Sequence, residues 1–105
     1  MSKNKPAEPR TVRDFILWAE RRFGKAGLYF GHGTDNARDE AVWLVIATLH
    51  IPYDELDAQA ERLLNEAEQK IVRDLAEARI STRKPLTYLL HEAWLADLKF
   101  YVDER

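Results

Sequence analysis

The chain has 105 residues, 46% of them hydrophobic and 32% charged, with a formal net charge of −2 and no cysteine. That length fits one small domain, and the apolar content excludes a disordered or collagen-like chain. A complete nucleotide-binding enzyme does not fit, and thiolate catalysis, disulfides and zinc ribbons are ruled out.

The longest apolar run, Ala41 to Ala47, is far below the roughly 20 residues of a membrane helix, so no membrane partner is expected. The composition suits the reducing cytoplasm. Pro6, Glu8, Pro9 and Arg10 interrupt the place of a signal-peptide core, so residues 1–10 read as a flexible tail. Charge is unevenly spread: residues 1–25 carry +4, residues 26–68 carry −7 and residues 69–105 carry +1. A nucleic-acid module concentrates basic residues on one face, and here only Arg10, Arg13, Arg21, Arg22 and Lys25 offer such a group.

Thr11 followed by Asp14 predicts a helix start by a capping box. Val12, Phe15, Ile16, Ala19 and Phe23 then form one stripe at helical spacing. Gly24 is the expected left-handed stop, giving a helix over about 11–24. Residues 27–36 hold three glycines and a polar turn cluster and read as a loop. Thr34, Asp35 or Asn36 can cap the next helix, with Asp39 and Glu40 in its first turn. Its run Ala41 to Ala47 is apolar on nearly every side, which predicts the most buried element. His50 lies near its end and Pro52 is the expected stop.

For Tyr53 to Leu64 two readings stand: a short helix capped by Asp54 and carrying Leu56, Ala60, Leu63 and Leu64, or a loose turn. Asn65 with Glu68 three residues on predicts a helix over 66–81, carrying Ile71, Val72, Leu75, Ala78 and Arg79. Pro85 suits the first turn of a short helix through Leu90. Residues 92–95 and 99–102 have the pattern of a hairpin. The expected core is Phe15, Ile16, Ala19, Trp43, Leu44, Ile46, Ile71 and Leu75. Trp18 sits just off the first stripe and either packs within the chain or covers a surface for another domain.

Little here carries chemistry. Gly31-His32-Gly33-Thr34-Asp35-Asn36 has the glycines of a phosphate loop, but a helix precedes it and Asn36 stands where a dinucleotide fingerprint needs glycine or alanine. Turn glycines and a helix cap explain the segment, and a glycine-flanked His32 makes protein recognition its stronger functional reading. His32, His50 and His91 lie on separate elements, which does not suit the converging ligands of a metal site. Ser2 and Ser81 lack a histidine and acid to activate them. Asp54, Glu55, Asp57 and Glu61 fit a solvated face better than an acid and base pair.

Two motifs carry a family resemblance. Phe30-Gly31-His32-Gly33-Thr34-Asp35-Asn36, with Asp39-Glu40-Ala41-Val42 after it, and later Arg83-Lys84-Pro85-Leu86-Thr87-Tyr88-Leu89 with Trp94 and Phe100 to Arg105, resemble the N-terminal domain of HemK-related protein glutamine methyltransferases of the PrmB branch. The resemblance covers residues 11–105. It implies a helical substrate-recognition domain joined by a hairpin to a Rossmann-like domain that binds S-adenosylmethionine and methylates a glutamine side-chain amide in a large-subunit ribosomal protein. The family's Asn-Pro-Pro-Tyr motif is not found in this sequence, so no catalytic or cofactor-binding residue carries over.

The combined expectation is a mainly α fold, a small bundle of four to five helices ending in a short β-hairpin. Residues 1–10 would be a tail, 11–91 the recognition domain and 92–105 a hairpin leading to a catalytic domain absent from the chain. Gly31, His32, Gly33, Thr34, Asp35 and Asn36 are the candidate recognition residues. No metal or cofactor is expected in the chain itself. The expected partners are a ribosomal protein and the enzyme's own catalytic domain. A free-standing helical adaptor and an RNA-binding module are the alternatives.

Overall fold

The computed structural model describes residues 8–28 and 36–93. Among these residues three α-helices form the body, α1 (Val12–Ala26), α2 (Ala37–Leu49) and α3 (Glu66–Thr82), with a 3-10 turn at Tyr53–Glu55. Residues 86–93 are also helical. The mainly α class is therefore as expected. The hairpin is not seen: 92 and 93 continue the last helix, and the rest of its expected strands lie outside the described residues.

α1 begins where local chemistry dictates. The Thr11 side chain accepts from the Asp14 amide at 3.1 Å, while the Asp14 carboxylate accepts from the amides of Thr11 and Arg10 at 3.2 and 3.1 Å. The other amides of the first turn are satisfied as well, because Val12 and Arg13 donate to the carbonyls of Arg62 and Ala60, both at 2.9 Å. Those bonds, with Leu64 N–H donating to Arg10 at 2.9 Å, make an isolated antiparallel bridge between Thr11 and Leu63. This anchoring resolves the 53–64 segment as a 3-10 turn followed by further turns. Its carbonyls are spent on α1 instead of on a helix of its own.

The stop of α1 is Gly27, not Gly24. Gly27 adopts φ 66 and its N–H donates to the Gly24 carbonyl at 3.2 Å, so Gly24 lies inside the helix and the left-handed residue comes three positions later. α2 ends at Leu49, before Pro52 could act. His50 is left-handed at φ 59, the Ile51 amide donates to the Ile46 carbonyl at 3.0 Å, and Ile51 is buried beneath the turn. This is a Schellman closure, in which the apolar contact stabilises a conformation that a non-glycine residue otherwise resists. α3 has the expected Asn65 and Glu68 capping box and closes on a left-handed Arg83.

The core combines Val12, Phe15, Ile16, Ala19 and Phe23 of α1 with Ala41, Leu44 and Val45 of α2, Val72, Leu75 and Ala76 of α3, and Leu86 and Leu89 beyond it. Of the expected core, Phe15, Ile16, Ala19, Leu44 and Leu75 are buried, whereas Trp43 and Ile46 are only partly covered and Ile71 is 46% exposed. Ile71 is displaced by its neighbour. Val72, about 100° further round the helix, takes the inward position and is fully buried. Trp18 packs within the chain: its ring meets Phe15 edge-on at 5.9 Å, and the guanidinium groups of Arg22 and Arg73 lie over it at 5.5 and 5.3 Å. Cation–π contact holds an aromatic of this kind at a half-wet surface.

Candidate functional site

Of the six expected recognition residues only Asn36 lies among the described residues; Gly31, His32, Gly33, Thr34 and Asp35 fall outside them. Asn36 is the N-cap of α2, its side-chain oxygen accepting from the Asp39 amide at 2.8 Å. It thereby fixes the direction in which α2 leaves the segment.

A second feature was not anticipated. The C-terminal turn of α2, one face of α3 and residues 86–93 enclose a groove of about 710 Å³. Ile71, Asp74, Leu75 and Ala78 reach it from α3 because spacings of three and four share one helix face. Leu89, Leu90, Glu92 and Ala93 form the opposite wall, and Ala47, Thr48 and His50 close the α2 side. Leu75 and Leu89 are buried and make the floor, while Ile71 stands at the lip. The volume falls within the range of small-ligand and peptide-anchor pockets, about 300–1,000 Å³.

The groove is apolar with an acidic margin. Asp74 and Glu92 are its lining carboxylates. Asp74 accepts from Lys70 Nζ at 2.8 Å, and Tyr88 Oη lies 3.5 Å from Glu92. The carboxylate partner raises the Lys70 pKa above its ordinary value, through its hydrogen bond and its charge. Thr48 Oγ1 is buried and makes no hydrogen bond among the described residues.

The wall formed by residues 86–93 is held by a buried ion pair between Arg79 of α3 and Glu40 of α2, whose side chains are 5% and 4% exposed. Arg79 Nε and Glu40 Oε2 are in contact, Nη2 donates to Oε1 at 3.4 Å, and Nη1 donates to the Lys84 carbonyl at 3.2 Å. One guanidinium thus ties two helices to the turn that launches residues 86–93. Arg83 adds a bond to the Ala26 carbonyl at 3.0 Å, and Lys84 Nζ sits 4.8 Å above the Tyr88 ring. The sequence placed Glu40 in the first turn of a helix and Arg79 on a helical stripe; neither position alone marks them as partners 39 residues apart.

The groups considered for catalysis or nucleic-acid contact are dispersed. His50 and His91 are exposed on separate elements, and no cluster of three or more metal-ligating side chains occurs among the described residues. Arg13 pairs with Glu61 and Arg22 with Glu77, which removes two of the five basic residues considered for RNA. No helix among the described residues is long and apolar enough to cross a membrane.

Comparison with known proteins places these features in context. No family model matches the chain, and no solved structure matches it. Among curated proteins, it is 48% identical over 98 residues to the ribosomal protein uL3 glutamine methyltransferase of Neisseria gonorrhoeae, covering 93% of this chain and 33% of that protein. The proteins of the same description from Burkholderia pseudomallei and Bordetella pertussis are 47% identical over 100 residues and 43% identical over 105. These alignments cover 95% and 100% of this chain, and 33% and 35% of the respective relatives. The chain spans about a third of the length of the curated relatives it matches. Over nearly its whole length, therefore, it is similar to a domain of the ribosomal protein uL3 glutamine methyltransferases.

Proposed function

We propose that this chain is the N-terminal substrate-recognition domain of an S-adenosylmethionine-dependent enzyme that methylates a glutamine side-chain amide in the ribosomal protein uL3. The observation that carries the reading is the 48% identity over 98 residues to an enzyme of that description, in an alignment covering 33% of it. In this reading residues 11–91 grip the protein substrate in the cytoplasm, residues 92–105 lead to the catalytic domain, and that domain binds the cofactor and transfers the methyl group. The Gly31 to Asn36 segment is part of the grip. Its last residue, Asn36, caps α2, and a polar segment adjoining a capped helix is a suitable recognition element.

Calorimetry with the 105-residue chain tests the division of labour. Saturable binding of uL3 without binding of S-adenosylmethionine is the expected result, and the reverse pattern would refute it. His32→Ala in the full enzyme is expected to weaken the apparent affinity for uL3 with little change in melting temperature. Unaltered methylation kinetics would remove His32 from the recognition surface. An RNA-binding module is the second reading, favoured by the exposed Arg10, Arg21 and Lys25. It requires salt-sensitive binding of ribosomal RNA by the isolated chain.

A further inference from the structure

We propose that the groove between α2, α3 and residues 86–93 is the docking cleft for a segment of the ribosomal protein substrate in which an apolar anchor is flanked by lysine or arginine. The inference rests on the substrate-recognition reading and adds the place and the chemistry of the contact.

Three observations converge on it. The floor is apolar, with Leu75 and Leu89 buried, while Ile71 leaves nearly half of its surface in water at the lip. A large aliphatic side chain held half-exposed beside a cleft gains by burial under an occupant, in proportion to the apolar area covered. The second observation is charge: the lining carboxylates Asp74 and Glu92 come from facing walls, Lys70 pairs with Asp74 at 2.8 Å from outside the lining, and among the described residues no lysine or arginine lines the groove itself. A ribosomal protein must neutralise RNA phosphates and so carries lysines and arginines along its surface segments. An acidic lip therefore selects such segments and repels acidic ones. The third observation is position. The groove lies at the C-terminal end of α2, whereas Asn36 caps the N-terminal end, about 20 Å away along a helix of 13 residues. Two contacts at that separation would hold one extended segment of about six residues at both ends.

The test measures binding of purified uL3 to the 105-residue chain and its variants by calorimetry, with circular dichroism as the check on folding. Ile71→Glu is expected to weaken binding by about tenfold or more. Asp74→Lys combined with Glu92→Lys is expected to do the same at about 50 mM salt and to flatten the salt dependence of the wild-type chain. Leu63→Ser, an exposed leucine outside the groove, should stay within about twofold of wild type. If the wild-type chain fails to bind uL3, the substrate-recognition reading itself falls. If it binds and the groove variants bind equally well, that reading stands and the cleft proposal is overturned. A wild-type dimer that Ile71→Glu converts to monomer would give the groove to a second copy. A lower melting temperature for that variant with unchanged affinity would give it to the chain itself. Either result overturns the proposal. Because the side chains of Asp74 and Glu92 lie at the margin, the double variant remains informative should Ile71→Glu misfold.

Discussion

Withdrawing the Glu40 carboxylate from Arg79 is the sharpest probe of how this bundle is held together. Both side chains are at least 95% buried, and the guanidinium also bonds the Lys84 carbonyl that begins the wall of the groove. Breaking a buried pair by removing one partner costs roughly 3–5 kcal/mol, because the remaining ion stays desolvated with a partner lost. A domain of this length has a total stability of about 5–15 kcal/mol, so Glu40→Ala should remove about a fifth or more of it. At about 4–8 °C per kcal/mol for a chain of this size, the melting temperature should fall by at least about 12 °C. The double change Glu40→Met with Arg79→Leu should recover most of that loss, since well-packed apolar replacements of buried pairs are often neutral or stabilising. Urea titration of Glu40→Met, Arg79→Leu and the double variant, followed by far-ultraviolet circular dichroism at neutral pH, gives all three values and the coupling between them. A single-variant loss below about 1 kcal/mol would mean that the pair is solvated. A double variant as unstable as the sum of the two singles would mean that the two side chains act independently.

Further expectations follow from burial, backbone geometry and charge. Leu44→Ala, at a fully buried position, should cost about 2–5 kcal/mol, and a change under about 0.5 kcal/mol in the same titration would place Leu44 at the surface. The two glycines of α1 should respond with opposite signs. At Gly27, φ 66 is costly for alanine although the space is open, so Gly27→Ala should destabilise by about 1 kcal/mol. Gly24 lies inside the helix with open space around it, so Gly24→Ala should stabilise by about 0.5–1 kcal/mol, and equal signs would contradict the assigned stop. Burial pushes the carboxyls of Asp14 and Glu68 up, but hydrogen bonds from the backbone amides they cap, with Arg13 and Arg62 nearby, hold both below their ordinary values of 3.8 and 4.5. A depressed folded-state pKa gives stability that is present above the unfolded value and is lost as pH falls through the folded one. Stability should therefore decline on acidification below about pH 5, and Asp14→Asn with Glu68→Gln should flatten that limb. An unchanged acid limb would refute the capping roles.

The amino-acid sequence by itself determined the features whose causes lie within one helical turn. Thr11, Asn36 and Asn65 cap their helices because the amide each serves is three residues away, and the chain brings them together whatever else folds. The stripe from Val12 to Phe23 likewise required only the helical period. Asn36 is the one member of the expected Gly31 to Asn36 site within the described residues, and its capping role was legible as one of three alternatives with Thr34 and Asp35. Tertiary structure decided what depends on neighbours far along the chain. A stripe on α3 shows that one face turns inward, but whether Ile71 or Val72 occupies its centre depends on where α1 and α2 lie against it. His50 and Arg83 take left-handed conformations that side chains resist, because packing of Ile51 and capping of the last carbonyls outweigh a local cost of about 1–2 kcal/mol. The pairing of Glu40 with Arg79, and the groove whose third wall it secures, join segments 39 residues apart. No local preference encodes that contact; it exists only because three helices, each burying its own apolar face, leave those two side chains facing one another out of water.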